Sequence, residues 1–451
     1  MSKFLIVIFG ATGDLTKRKL IPALYNLTKN KNFKNDFKVI GVGRKHHNSE
    51  TFTKKMMEFN KSLYKERKSW EQFCSRVEYF KADFKNKSGM LRLANYIKSK
   101  KVNNVIYYLA TMPENYLDII RVLRKYKLNE EKNGWKKIMF EKPFGFNLKS
   151  AKKINKTIKK AFKENQVYRV DHYIGKESVE NILTLRFNNI IFEPVWNRDY
   201  IEYVQIIANE NLGVEGRMDY YDKHGVLNDM IENHFMHLLS FITMDKPKNL
   251  ESQNIREEKI KVINSIRWTR DLVLGQYEGY KKELKKQSNT PTFTALKLKI
   301  NNKRWRGVPF YLKTGKRLNK KEALIYIKFK DLDCKECISN ELIIYLQPEQ
   351  DIDIGFNIRE YQLQIPTKSS IKKAELRFCH NCSFSPNTPL AYENLLVEAV
   401  KGNYSLFISW GEIKSSWEYV DNLKKLKSKL YIYKKGTKGP KQAYDLTNWK
   451  I

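Results

Sequence analysis

Six consecutive positions of the stretch VYRVDHYIGKESVENIL, Asp171 to Lys176, hold a carboxylate, an imidazole, a phenol, a glycine and an ammonium. The ammonium and imidazole suit a bound phosphate, and an imidazole titrates near neutrality, as a group that takes a proton from a hydroxyl must. A second cluster, DMIENHFMH, offers Asp229, Asn233 and His237 at spacings of four. An α-helix places these three on one face and turns His234 about a hundred degrees from Asn233. One histidine on an otherwise apolar helix is more often a satisfied core residue than a base. The cationic groups of DHYIGK are what weigh toward proton transfer.

Such groups need elements to position them. Phe4 to Phe9 is a continuous apolar run of strand length that stops at Gly10-Ala11-Thr12-Gly13, before the helix-compatible KRKLIPALYNL. Backbone N–H groups and the helix dipole at such a junction favour a pyrophosphate. The turn lacks the first glycine of GxGxxG, so its place between strand and helix says more than its pattern; a plain strand-to-helix turn is the alternative. The second strand, FKVIGVGR, ends at Gly43-Arg44-Lys45-His46-His47 without an acid. A cationic end suits the 2′-phosphate of NADP, with Arg44 stacked on adenine or forked onto the phosphate; a solvated loop arginine is the alternative. VEYFKADF, NNVIYYLA and KKIMFEKPFG continue the alternation of strand and helix. Residues 1–170 therefore read as a Rossmann-like, doubly wound parallel sheet. Beyond Asn188 come DYIEYVQIIA, TALKLKIN, EALIYIKFK, ELIIYLQP and FNIREYQLQI, interrupted by the helical VLNDMIENHFMHLLSFITM. Residues 171–451 read as an α+β domain on a large, mainly antiparallel sheet. The DHYIGK stretch falls at the seam, where clefts usually lie.

A chain of 451 residues is long enough for two cores. Its 85 Lys+Arg against 49 Asp+Glu leave a charge of +36, yet the basic residues are spread along the whole chain. That favours solvated lysine-rich faces over a nucleic-acid partner. No apolar run approaches the roughly 18 residues that span a bilayer, and a strand begins within a few residues of the N-terminus, so a cytoplasmic protein is expected. Five cysteines, an odd number, argue for reduced thiols. Cys334-x-x-Cys337 and Cys379-x-x-Cys382 have the spacing of a tetrahedral zinc site, but the linker between them is long; the expectation is reduced thiols and no zinc.

The blocks FGATGDLTKRKLIPALYNL, IGVGR, EKPFG, YRVDHYIGKE, LRFNN with WNRDYIEYV, VEGR with YYDKHGVLNDMIENH, SNTPTF, GVPFYLKTGKRL and LQPE occur in this order. Together they resemble glucose-6-phosphate dehydrogenases over nearly the whole chain. The resemblance implies oxidation of glucose 6-phosphate at carbon 1 to the lactone with hydride transfer to NADP, the first step of the oxidative pentose phosphate pathway, in a homodimer. It implies that Gly10, Ala11, Thr12, Gly13, Asp14, Leu15, Arg44, Tyr108 and Lys142 hold the cofactor, with Lys142 between nicotinamide and sugar. His234 would be the general base and Asp171 would hydrogen-bond its imidazole. His172, Tyr173 and Lys176 would bind the phosphate. Glu210 and Asp229 would accept bonds from sugar hydroxyls, and Lys316 and Lys321 would complete the cationic surround.

Some residues depart from that pattern. Met112 stands where the family usually has the first of two prolines, and this leaves open the path of the turn before Pro113. Glu322 occupies a place where members with an additional structural NADP use a base. The competing readings are a glucose–fructose oxidoreductase-type sugar dehydrogenase, which shares the EKP lysine but lacks DHYIGKE, and a basic nucleic-acid-binding protein on an inactive scaffold.

Overall fold

The structure, a computed structural model, describes residues 3–31, 33, 35–60, 66–331, 337–360, 370–379, 382 and 391–450. The chain divides into two units, one of Met1–Gly175 with Pro389–Lys414 and one of Lys176–Thr388 with Ser415–Ile451. The returning segment of the first unit is announced by nothing in the rhythm of strands.

The apolar run at the N-terminus forms β1 (Lys3–Phe9), buried from Phe4 onward. It is followed by β2 (Asp36–Gly43), β3 (Val77–Lys81), β4 (Asn104–Leu109), β5 (Lys136–Phe140) and β6 (Val167–Arg169). These make one sheet in the order β3-β2-β1-β4-β5-β6, with every pair parallel. The order reverses at β1, and in such sheets the crevice beyond the carboxyl ends of the strands at the reversal takes the ligand. Helices start where the sequence caps them: Asn48 and Asn147 each accept from the backbone N–H three residues on. The segment from Ala391 returns to this sheet's last strand. Ile408 N–H donates to Arg169 O at 3.1 Å, and the buried Arg169 guanidinium holds Glu164. The helix Ala391–Lys401 is tied down at its end by Lys137, which donates to the carbonyls of Ala399 and Val400.

The second unit carries β7 (Ile201–Asn209), β8 (Ile266–Tyr277), β9 (Phe293–Ile300), β10 (Pro309–Gly315), β11 (Glu322–Phe329), β12 (Glu341–Gln347), β13 (Ile352–Glu360), β14 (Ser370–Phe378) and β15 (Leu430–Tyr433). They form a sheet in the order β14-β13-β12-β11-β7-β10-β9-β8-β15. It is mainly antiparallel; β7 with β10 and β8 with β15 are the parallel pairs. A core of Tyr277, Phe293, Tyr311, Tyr326 and Trp449 packs on one face. The segment Leu227–Phe235 and the helix Met236–Thr243 are almost wholly buried.

Two expectations are corrected here. Leu227–Phe235 is a π-helix and not an α-helix, as shown by Met236 N–H reaching Ile231 O, five residues back. The cysteines are not all reduced thiols. Cys379 and Cys382 form a disulfide and Cys337 is also disulfide-bonded, whereas Cys74 is free; Cys334 lies outside the described residues. Cys337 and the Cys379–Cys382 pair also lie beside different parts of β13. Ile338, beside Cys337, exchanges hydrogen bonds with the Asn357 side chain, while Phe378, beside Cys379, pairs with Ile352. Five strand residues, roughly 17 Å, separate the two places, too far for one shared tetrahedral site.

Candidate active site

In the first unit the glycine turn is dictated by space. Gly10 has φ +90°, and a Cβ there would stand 2.3 Å from the carbonyl oxygen of Ala110 at the end of β4. Only glycine fits both demands. The N–H groups of Gly10 and Ala11 donate to Val42 O at 2.9 and 3.0 Å, and Gly13 N–H closes the turn onto Gly10 O. The turn is thereby fixed beside the end of β2, two residues before Arg44. Ala11 is buried, Thr12, Gly13 and Leu15 are partly exposed, and Asp14 is exposed and paired with Arg18 at 2.7 Å. Arg44, Lys45 and His46 are exposed. Beside them His47 is held below the usual imidazole range, first by partial burial and then by Lys55, Lys45, His46 and Lys17. The close-fitting glycine turn at Gly10 to Gly13, before the helical segment, fits the pyrophosphate of a dinucleotide, and cations gather at the adjoining end of β2.

Met112 is 53% exposed, with φ −65° and ψ 145°. That is the φ a proline ring would impose, so the turn keeps a proline-like path without the ring. Pro113 follows, buried.

Beyond β5 lies the turn Glu141-Lys142-Pro143, with a cis Lys142–Pro143 peptide. Tyr108 is buried on β4, and its hydroxyl donates to Glu141 Oε1 at 2.5 Å. Its phenol is thus committed to a carboxylate. Asp171 is 1% exposed; its Oδ1 accepts from Tyr173 N–H at 2.9 Å, and its carbonyl accepts from Ile174 and Gly175. The Asp171–Gly175 turn is locked further by the helix Ala391–Lys401, because Leu395 would lie 2.7 Å from any Cβ at Gly175. His172 is partly exposed, with its ring 5.1 Å from that of the buried Tyr173.

In the second unit the loops after β7 and β10 are stitched together: Glu210 N–H donates to Gly315 O and Leu318 N–H to Glu210 O, both at 2.9 Å. Lys316 thereby meets the carboxylate of Glu210, and Asp229 Oδ2 lies 3.7 Å away. Val214, Arg217, Tyr220 and Tyr221 complete a pocket around Asp229 and Lys316. Burial and the nearby Asp229 push the Tyr221 phenol well above its ordinary range. Lys176 precedes the helix Glu177–Phe187, and its ammonium donates to Leu346 O and to Gln347 Oε1.

His234 is 1% exposed on the π-helix. The wider turn brings residues five apart, such as Asp229 and His234, closer to one face than an α-helix does. Asn233 fastens this segment by donating to Asn228 O, five residues back, at 2.8 Å. Lys321 is exposed, and no ion pair joins it to Glu210 or Asp229 among the described residues. Of the residues that line these places, Glu141, Tyr392, Arg217 and Tyr221 were missed from sequence. Glu141 precedes Lys142 in EKP, a signal that could have found it.

A family model described as "Glucose-6-phosphate dehydrogenase, NAD binding domain" matches residues 7–181, and one described as "Glucose-6-phosphate dehydrogenase, C-terminal domain" matches residues 183–450. The chain is 41% identical to a glucose-6-phosphate 1-dehydrogenase of Borreliella burgdorferi, over 98% of this chain and 96% of the relative. It is 37% identical to that of Bacillus subtilis with the same coverage. Its fold is similar to a solved glucose-6-phosphate dehydrogenase in complex with its substrate glucose-6-phosphate, with a TM-score of 0.91 and 30% identity over 98% of this chain and 96% of that one. A UDP-N-acetylglucosamine 3-dehydrogenase of Acidithiobacillus ferrooxidans, at 10% identity and a TM-score of 0.51 over 94% of this chain and 96% of that one, shares the fold alone.

Proposed function

The chain belongs to the glucose-6-phosphate dehydrogenase family and is an oxidoreductase acting on glucose 6-phosphate, and from that premise we propose how its residues divide the work. Residues 1–170 hold NADP, and residues 171–451 hold the sugar phosphate and form the contacts of a homodimer. When bound, NADP supplies the hydride acceptor. Gly10 to Leu15 lie along its pyrophosphate, and Arg44 takes the 2′-phosphate. The reading is supported by the space at Gly10, which no side chain could fill, and by the cations crowded around His47.

Glu210 and Asp229 accept hydrogen bonds from sugar hydroxyls, and Lys316, held between them, fixes their orientation and answers their charge. This cluster is the observation that carries the reading, because carboxylates set around one ammonium recognise a polyol without repelling its phosphate. His172, Tyr173 and Lys176 bind the phosphate, with Lys321 adding positive charge at the rim. His234 accepts the proton from the hydroxyl on carbon 1 as hydride leaves that carbon. Asp171 holds the imidazole in one tautomer and stabilises the imidazolium. Lys142 lines the path between sugar and nicotinamide. A cytoplasmic homodimer completes the proposal. It is supported by Ile358 and Leu376, exposed on one face of β13 and β14, and by the lack of any membrane-length apolar helix among the described residues.

The test is a set of initial rates with NADP and NAD, each with glucose 6-phosphate and with free glucose. Fast reduction of NADP with the phosphorylated sugar and slow reaction for every other pair is expected. Preference for free glucose or for NAD would overturn the corresponding assignment.

A further inference from the structure

The turn that carries Lys142 is held by a residue given no role so far. Glu141, the first residue beyond β5, receives three phenols from three elements. Tyr108 of β4 donates to Oε1 at 2.5 Å, Tyr392 of the helix Ala391–Lys401 hydrogen-bonds the same carboxyl, and Tyr116 of the helix Tyr116–Lys125 donates to the backbone carbonyl at 3.0 Å. Lys142 and Asp171 are the charged groups that also act on it. We propose that Glu141 is a positioning residue of the reaction: clamped by Tyr108 and Tyr392, it fixes the Glu141–Lys142–Pro143 turn and sets the charge balance between Lys142 and Asp171. The inference rests on the proposed roles of those two residues and adds a third that touches neither substrate nor cofactor.

An ionised carboxylate accepts from both phenols more strongly than a protonated one, which must also place a proton of its own. The residue keeps some exposure as a whole, yet its carboxyl is desolvated; burial pushes it up to about 7, against the hydrogen bonds of Tyr108 and Tyr392 and the charge of Lys142, while Asp171 adds to the rise. Near neutrality the clamp therefore passes from a loose, protonated form to a tight, ionised one as pH rises. Hydride transfer should follow the ionised form.

The experiment compares kcat of wild type and Glu141→Gln from about pH 5.5 to 9, with thermal melting to confirm folding. Glutamine imitates the protonated acid, so the ratio of wild type to variant should be near one at the acid end and climb to about tenfold at the alkaline end. A ratio that is flat with pH overturns the proposal, since a merely structural defect does not titrate. Tyr392→Phe tests the same point if Glu141→Gln does not fold. Losing one donor to the ionised form should move the rise in kcat to higher pH, and an unmoved inflection overturns the proposal equally. An inactive wild type would instead sink the functional reading, which separates the two failures.

Discussion

The ammonium of Lys176 lies 3.1 Å from the carbonyl oxygen of Leu346 at the end of β12. Together with the bond to Gln347 Oε1 this aims a long side chain before any anion arrives, and little rotamer entropy remains to be lost on binding. A charge-assisted contact to phosphate is worth roughly 1.5 to 3 kcal/mol, so Lys176→Ala should raise KM for glucose 6-phosphate about ten- to a hundredfold. Free glucose should be handled almost equally poorly by variant and wild type. An unchanged KM for glucose 6-phosphate would make Lys176 a structural tie from its helix to β12 and nothing more.

His234 should matter to turnover and not to binding. A positioned general base contributes roughly a hundredfold to ten-thousandfold, so His234→Asn should lose that much kcat while the dissociation constant for glucose 6-phosphate stays within about threefold. Retention of more than about a tenth of wild-type kcat would remove His234 from the role of base.

Arg44 should set cofactor preference. A guanidinium forks onto a 2′-phosphate and gains nothing comparable from a bare ribose, so Arg44→Ala should weaken NADP about tenfold or more and leave NAD nearly unchanged. Fluorescence titration with both nucleotides measures this. An equal loss for both would mean that Arg44 only stacks on adenine, and Lys45 would become the next candidate.

β1, β4 and β5 of the first sheet were legible because each is almost wholly buried and reads as an apolar run closed by a turn, as LIVI before Gly10 does, whereas the three-residue β6 was not. β8 and β14 were not. Their sequences IRWTRDLVLGQY and SIKKAELRF interrupt the apolar pattern with charged residues, Arg267, Arg270 and Asp271 in β8 and Lys372, Lys373, Glu375 and Arg377 in β14. The residue types of the candidate site were readable from spacing and resemblance. The π-helix around Asp229 and His234 was not, because apolar periodicity near 3.6 reports the buried face and says little about a local five-residue hydrogen bond such as that from Asn233. The clamp on Glu141 was hidden for another reason: Tyr108 and Tyr392 are 284 positions apart and meet only through the returning helix.

The cysteines offer a test of the register of β13. With Cys337 and the Cys379–Cys382 disulfide beside different parts of that strand, Cys379→Ser should free the Cys382 thiol and leave Cys337 protected. Alkylation of the unfolded, non-reduced protein followed by peptide mass mapping reads this directly. Labelling of Cys337 in the variant would show that the two pairs communicate, and stoichiometric zinc in the wild type would show that they share a metal.

Lys313 connects burial with the pH dependence of stability. It lies in the middle of β10, 0% exposed, with its ammonium 4.9 Å from the ring of Trp449. Burial pulls it down to about 7, partly resisted by Glu322 and reinforced by Lys438 and Lys320. In the unfolded chain its pKa returns to about 10.4, so between these values the unfolded state binds one proton more than the folded one. Stability from this group is therefore complete only above the unfolded value, falls as pH drops toward about 7, and is constant at its lowest below that. Lys313→Met keeps the side-chain length and removes the titration. The variant should melt higher than wild type at neutral pH, and the difference in melting temperature should shrink steadily up to about pH 10. A difference independent of pH would mean that Lys313 stays charged in the folded protein, held by Trp449 and Glu322.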